Sequence, residues 1–389
     1  MRAALLLCCL PGLIFAPCLS APESPSAQPA QAAAPAPPTP ASVWHNTMVD
    51  GVDYLPLEDI RSFYKLLPLP RSDGGEQAPR AAVGNAETEL LFGPGERELR
   101  ICGLRWELSH PLKAAPNGDL LISRLDVTSI IEPILRPTYI SGRKLIRTVV
   151  LDAGHGGHDS GIITPKVREA DTVLIIARKL ATELRKRGLH VLLTREQNQY
   201  LSAQQRVDIA NKESDALFLS LHLNTGRSDT SGIETYTLTP TRPGNKCGAA
   251  STALATALQA SLLRHSKAED GGCHHAHYSI LSSIQCPAAL VELGYATHEE
   301  ESAKLTTDDY QSTLSMALAD GITAFAARMN PEAILQAIPK APPPVATPKE
   351  VKAAQKKKAD APPTRRKRSS RNSSRRKEVR ERSSRRRKR

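Results

Sequence analysis

The chain has 389 residues, 40% hydrophobic and 24% charged, with a formal net charge of +12. That length accommodates two domains plus tails, and its 7 cysteines show no CxxC spacing, which argues against a thiolate zinc site. The charge is unevenly placed: residues 340–389 carry 21 Lys and Arg against 4 Asp and Glu, so the remainder is mildly acidic and the basicity belongs to the tail alone.

In chain order, Met1-Arg2, an apolar run from Ala3 to Pro17 and then Leu19-Ser20-Ala21 read as a signal peptide over residues 1–21. The run is shorter than the ~20 residues a membrane span needs. Pro17 is a poor context for lipidation at Cys18. Export leaves Cys102, Cys247, Cys273 and Cys286 open to pairing, but no particular pairing is legible. Residues 22–42 are Ala, Pro and Ser with almost nothing to bury, and are expected to form a disordered linker.

Residues 43–140 read as a small α+β accessory domain. A strand enters a helix at residues 54–63. Short alternating strands at residues 89–92, 97–101 and 105–108 are separated by glycine-bearing turns, as in hairpins. A further strand is expected at 118–123 and a helix from Asp126. The strand, the Leu99-Arg-Ile-Cys-Gly-Leu104 turn, the next strand and Leu120-Leu-Ile-Ser-Arg-Leu-Asp-Val127 resemble the stalk domain at the N-terminus of copper amine oxidases. That resemblance implies a positioning or adhesion role and no chemistry. Residues 137–147 mark the boundary.

Residues 146–330 alternate strand and helix. Strands are predicted at 148–152, 189–194, 216–222, 232–238 and 288–293. Helices are predicted at 170–187, 203–212, 249–263 and 313–328. The first helix carries Val173, Ile176, Ala177, Leu180 and Leu184 on one side. This order predicts an α/β fold, a mainly parallel sheet with helices on both faces. Residues 331–389 open with Ala, Pro and Lys, end in Arg/Ser repeats, and are expected to be a disordered tail.

The chemistry concentrates after the first of these strands, in Leu151-Asp-Ala-Gly-His155-Gly-Gly-His158-Asp159-Ser-Gly161. An apolar run that stops at glycines reads as a buried strand ending in a loop, where ligands of open α/β sheets collect. His222 and Glu292 end two further strands, and Glu169 opens the helix after the glycine loop. Two histidines and a carboxylate form a common catalytic zinc set that leaves a fourth position for water, and a second carboxylate can relay the proton. Glu292 lies within Ala-Ala-Leu-Val-Glu-Leu-Gly-Tyr, where an unpaired buried charge is costly.

Over about residues 147–328 the chain resembles the zinc-dependent N-acetylmuramoyl-L-alanine amidases of bacterial cell walls. The resemblance is carried by the Asp152-Ala-Gly-His155-Gly-Gly loop, Glu169, Thr194-Arg195, Arg206 with Ala210-Asn211, Ser220-Leu-His222-Leu-Asn224, Gly232-Ile-Glu234-Thr-Tyr236 and Pro287-Ala-Ala-Leu-Val-Glu292-Leu-Gly-Tyr295. It implies that His155, Glu169 and His222 bind Zn2+ and that Glu292 is the catalytic acid/base. The activity implied is hydrolysis of the amide between N-acetylmuramic acid and L-alanine of the peptidoglycan stem peptide by a zinc-activated water. The signal peptide read at residues 1–21 sets the expectation of export to the periplasm or cell envelope.

His158 has no ligand counterpart in the family and reads as surface loop, while Asp159 suits orienting the loop or a ligand histidine. Glu234 is a candidate substrate-contacting or supporting group. The cluster of His274, His275 and His277 reads as a solvated loop near the substrate groove rather than a second metal site. Leu281-Ser282 stands where the family often has Leu-Arg. Gly226 to Tyr278 has no surplus length for a plugging helix, so an open site is expected. The tail lacks interleaved aromatics, which favours an anionic envelope polymer or lipid surface over nucleic acid. The alternatives are a non-catalytic wall-binding protein of the same fold, or a zinc peptidase or deacetylase acting on wall fragments.

Overall fold

The computed structural model describes residues 44–70, 79–93, 96–242 and 245–330. The predicted signal peptide, the linker and the basic tail lie outside the described residues. Short alternating runs form β1 (Thr47–Val49), β2 (Val52–Pro56), β3 (Leu67–Pro68), β4 (Ala81–Gly84), β5 (Glu89–Phe92), β6 (Glu98–Ile101), β7 (Leu104–Glu107), β8 (Lys113–Ala114) and β9 (Leu120–Ser123). A small antiparallel sheet has the order β1-β2-β9-β8. The meander β3 to β7 is antiparallel too, with Cys102 and Gly103 in the left-handed region at the β6–β7 turn.

The later strands are β10 (Thr148–Ala153), β11 (His190–Leu193), β12 (Ala216–Asn224), β13 (Ile233–Leu238), β14 (Asp270–Ala276) and β15 (Ala288–Tyr295). They join the meander in one sheet of order β11-β10-β12-β15-β13-β14-β7-β6-β5-β4-β3. The ladders from β11 to β15 are parallel, as expected, but β13 runs antiparallel to β15, so the whole sheet is mixed. β7 pairs in parallel with β14, with Trp106 opposite Cys273. The Arg105 backbone N–H donates to Asp270 at 2.9 Å, and Ala255 and Cys273 pack into the apolar cluster of the N-terminal segment.

β14 is a strand that the sequence pattern does not predict, and it carries His274 and His275 out of the loop expected for them. Its Gly-Gly-Cys-His-His run has no apolar alternation; pairing with β13 on one side and β7 on the other makes it a strand. The predicted helices are present as Glu169–Lys186, Ala203–Ala210, Gly248–Ser266 and Asp308–Met329. None of the described helices is long and apolar enough to cross a membrane.

The period of two along each strand sorts the two faces of the sheet. Val149, Leu151, Leu217, Leu219, Leu221, Ala289 and Val291 point to the three long helices. Val150, Phe218, Ala288 and Leu290 point the other way, toward Val207, Ala210, Ile280 and Ile284. Asp152, Ser220, His222 and Glu292 continue this second set. The same alternation that builds the core therefore places the polar groups on one face, at the carboxyl ends of β10, β12 and β15.

Candidate metal centre and active-site cleft

His155 follows β10 in a left-handed backbone conformation, φ 59°. Its Nδ1 meets Asp159 Oδ2 at 2.9 Å, which leaves Nε2 facing Glu169 Oε1 at 3.2 Å. His222 Nδ1 meets the same Glu169 oxygen at 3.0 Å. Backbone N–H groups of Leu223 and Ile162 donate to the two Glu169 oxygens at 3.0 and 2.9 Å. One ligand atom from each of His155, Glu169 and His222 lies within 4.8 Å of the others.

Two glycines make this convergence possible. A Cβ on Gly154 would collide with the His222 ring, and one on Gly161 would lie 2.7 Å from His155 Cδ2 and also strike the Glu169 carboxylate. Two buried arginines hold the loop from behind. Arg195 donates to the carbonyls of Ala153, Gly154 and Ala170 at 2.8, 2.8 and 2.7 Å. Arg206 donates to Asp152 at 2.6 Å and to the carbonyls of Ala153 and His155 at 2.8 and 2.7 Å. Asp152 also accepts from the hydroxyls of Thr194 and Ser220, at 2.6 and 2.8 Å. Arg206 is delivered by the Ala203–Ala210 helix, which begins with a Ser202/Gln205 capping box.

The electrostatics suit a cation. Burial pushes the Glu169 carboxyl upward, but hydrogen bonds from His155 and His222 outweigh it and hold the group well below the ordinary carboxylate range. The Glu169 hydrogen bond lifts His155 to about 9 against its own burial. A buried anion facing two imidazoles, with Asp159 fixing one ring from outside, is a donor set that fits zinc.

Glu292 stands beside His222 in the β12–β15 ladder. It is 8% exposed, its Oε2 is buried without a hydrogen-bond partner, and burial raises its carboxyl to about 7. Across the next ladder it faces Glu234, whose carboxylate accepts from Asn224 Nδ2 at 2.9 Å, from Tyr295 OH at 2.7 Å and from Tyr236 OH. A cleft of about 280 Å3 opens over these groups, lined by His155, His222, Glu292, Tyr200, Arg206 and Tyr278 among others.

The structure thus brings His155, Glu169, His222 and Glu292 together. His158 lies outside the group and packs on Tyr200, with ring centroids 4.1 Å apart. His274 stacks on Tyr236 and bonds Glu107, while His275 bonds Thr237. Neither belongs to a group of three or more potential metal ligands among the described residues. Arg195, Arg206 and Tyr295 belong to the motifs that carry the resemblance but have no task legible in the sequence, and Tyr200 has no signal there at all. A signal existed for the first two, since a lone arginine just after a strand or inside an apolar helix face needs buried partners.

Two histidines and a buried glutamate gathered at the carboxyl edge of an α/β sheet, beside a cleft, define a candidate metal site. The family model for N-acetylmuramoyl-L-alanine amidase matches residues 149–324. The uncharacterized protein YqiI of Bacillus subtilis strain 168 is 30% identical over 179 residues, which are 46% of this chain and 84% of YqiI. The N-acetylmuramoyl-L-alanine amidase LytC of the same strain is 31% identical over 179 residues, 46% of this chain but only 35% of LytC. A crystal structure of an N-acetylmuramoyl-L-alanine amidase from Clostridium difficile 630 has 30% identity, coverage of 47% of this chain and 97% of that one, and a TM-score of 0.43. The chain belongs to the N-acetylmuramoyl-L-alanine amidase family.

Proposed function

We propose that the chain hydrolyses the amide between the lactyl group of N-acetylmuramic acid and L-alanine in peptidoglycan, with zinc held by His155, Glu169 and His222 and with Glu292 as acid/base. One observation carries the reading. Three donor atoms within 4.8 Å of one another sit beside a buried carboxyl whose Oε2 has no partner. Zinc bound there would polarise a carbonyl and make a water acidic at neutral pH.

The remaining work falls to the chain's own residues. Glu292, raised to about 7, is poised to take a proton from water and return it to the leaving amine at Oε2. Asp159 holds the His155 ring, and the Arg195 and Arg206 guanidiniums hold the loop that carries it. Export to the periplasm or envelope accords with this substrate. The basic tail would then meet anionic envelope polymers or lipid.

The test is incubation of the purified protein with muropeptides, with and without chelator, followed by mass analysis. Release of stem peptide with a free L-alanine amino group is expected. It should be lost on chelation and reduced about 10²- to 10⁴-fold in Glu292→Gln. Cleavage confined to the peptide, or deacetylation, would replace this reading with the peptidase or deacetylase one. Binding without any cleavage would favour the wall-binding one.

A further inference from the structure

In the proposed substrate the scissile carbonyl is joined to the sugar through a short lactyl ether. With that carbonyl at the candidate metal group, the short ether keeps the pyranose within the same cleft, against its lining wall. Tyr200 forms part of that wall, and it is 47% exposed although it is a large aromatic. Its ring packs on His158 at 4.1 Å between centroids, tilted by 36°.

The Tyr200 segment is held against the metal-bearing loop. Asn198 Oδ1 accepts from the Gly157 N–H at 2.8 Å, and a Cβ on Gly157 would lie only 2.6 Å from Tyr200 N. Gly157 itself is left-handed, φ 64°, two residues from His155. The aromatic face therefore has a fixed position relative to the candidate ligand, and the His158 ring braces it. A pyranose presents an apolar C–H face and a polar rim, which suits an aromatic ring that is apolar in body and wet at one edge.

We propose that Tyr200, braced by His158, is the platform on which the muramic-acid ring of the substrate lies. This inference rests on the amidase reading given above. It assigns a task to His158, the histidine of the glycine loop that takes no part in the metal group.

Two measurements on the full-length protein test it. In the first, the disaccharide N-acetylglucosaminyl-N-acetylmuramic acid, which contains no amide to cleave at the lactyl group, is titrated into the protein while Tyr200 and His158 ring resonances are followed. Wild type should show saturable shifts at both rings, Tyr200→Ala should bind about tenfold more weakly, and Tyr200→Phe should bind like wild type. In the second, kcat/KM is compared for N-acetylmuramyl-L-alanyl-D-isoglutamine and for the sugar-free D-lactyl-L-alanyl-D-isoglutamine. The preference for the sugar-bearing amide should shrink about tenfold in Tyr200→Ala, through KM, and persist in Tyr200→Phe. The platform is overturned if the disaccharide leaves both rings undisturbed, or if Tyr200→Ala keeps the wild-type affinity or preference. Wild-type protein that cleaves neither amide yet binds the disaccharide at Tyr200 would refute the amidase reading and leave a muramic-acid-binding ring in place of a substrate platform.

Discussion

Replacing Arg206 with methionine removes one half of a buried ion pair and the hydrogen bonds to the carbonyls of Leu201, Ala153 and His155. Arg206 and Asp152 are 7% and 1% exposed and lie 2.6 Å apart. Removing one partner of such a pair leaves a buried charge and costs about 3–5 kcal/mol. The Thr194 and Ser220 hydroxyls still bond Asp152, which favours the lower end of that range. The loss of the donor to the His155 carbonyl matters for the site, because His155 is a non-glycine residue at φ 59°, a conformation that costs roughly 1–2 kcal/mol. If about 1.4 kcal/mol of that restraint is lost, zinc affinity falls about tenfold.

Urea unfolding of the metal-free protein measures the first effect, and competition with a chelator of known affinity measures the second. A double-mutant cycle separates the charge from the packing. In Asp152→Asn/Arg206→Met no buried anion is left behind, so the double variant should be more stable than the sum of the two single losses by at least about 1 kcal/mol. Strict additivity, or an Arg206→Met protein with wild-type zinc affinity, would show that this arginine does not hold the loop that carries His155.

Gly161→Ala places a Cβ at φ 61° against His155 and Glu169, so the protein should fold with unchanged circular dichroism yet emerge from gel filtration with substoichiometric zinc; a full zinc complement would mean the loop yields. Burial lowers His275 to about 4, its Nε2 is sealed from solvent, and His274 adds to the effect. The folded imidazole stays neutral while the unfolded one takes a proton near pH 6.5, so stability should fall as pH drops from about 6.5 toward 4, by up to about 3 kcal/mol. His275→Gln should flatten that limb in urea midpoints taken at intervals between pH 7 and pH 4; an equal slope in the variant would assign the loss to other groups. Cys102 is exposed and Cys273 is buried opposite Trp106 in the β7–β14 ladder, and both are free thiols. A disulfide reagent should label Cys102 rapidly and Cys273 only in denaturant, and labelling of both at equal rates would mean that the β7–β14 seam opens in the native protein.

The sequence by itself determined the alternating strands and helices of residues 146–330, because runs such as Thr148–Ala153 and the Val173/Ile176/Leu180/Leu184 stripe have periods that need no distant partner to be read. It also placed His155 just past a strand and His222 and Glu292 at strand ends, where the period of two sends those last two to one face. The tertiary structure alone decided how far β14 is a strand, since Gly-Gly-Cys-His-His acquires that geometry only between β13 and β7. It alone converted the glycine-rich loop into a site. The left-handed His155, the collision space kept open at Gly154 and Gly161, and the carbonyls gathered by Arg195 and Arg206 arise from groups dozens of residues apart. Local periodicity records which face a side chain takes. It carries no record of which distant donor will meet a given carbonyl, and that closure builds the candidate metal centre.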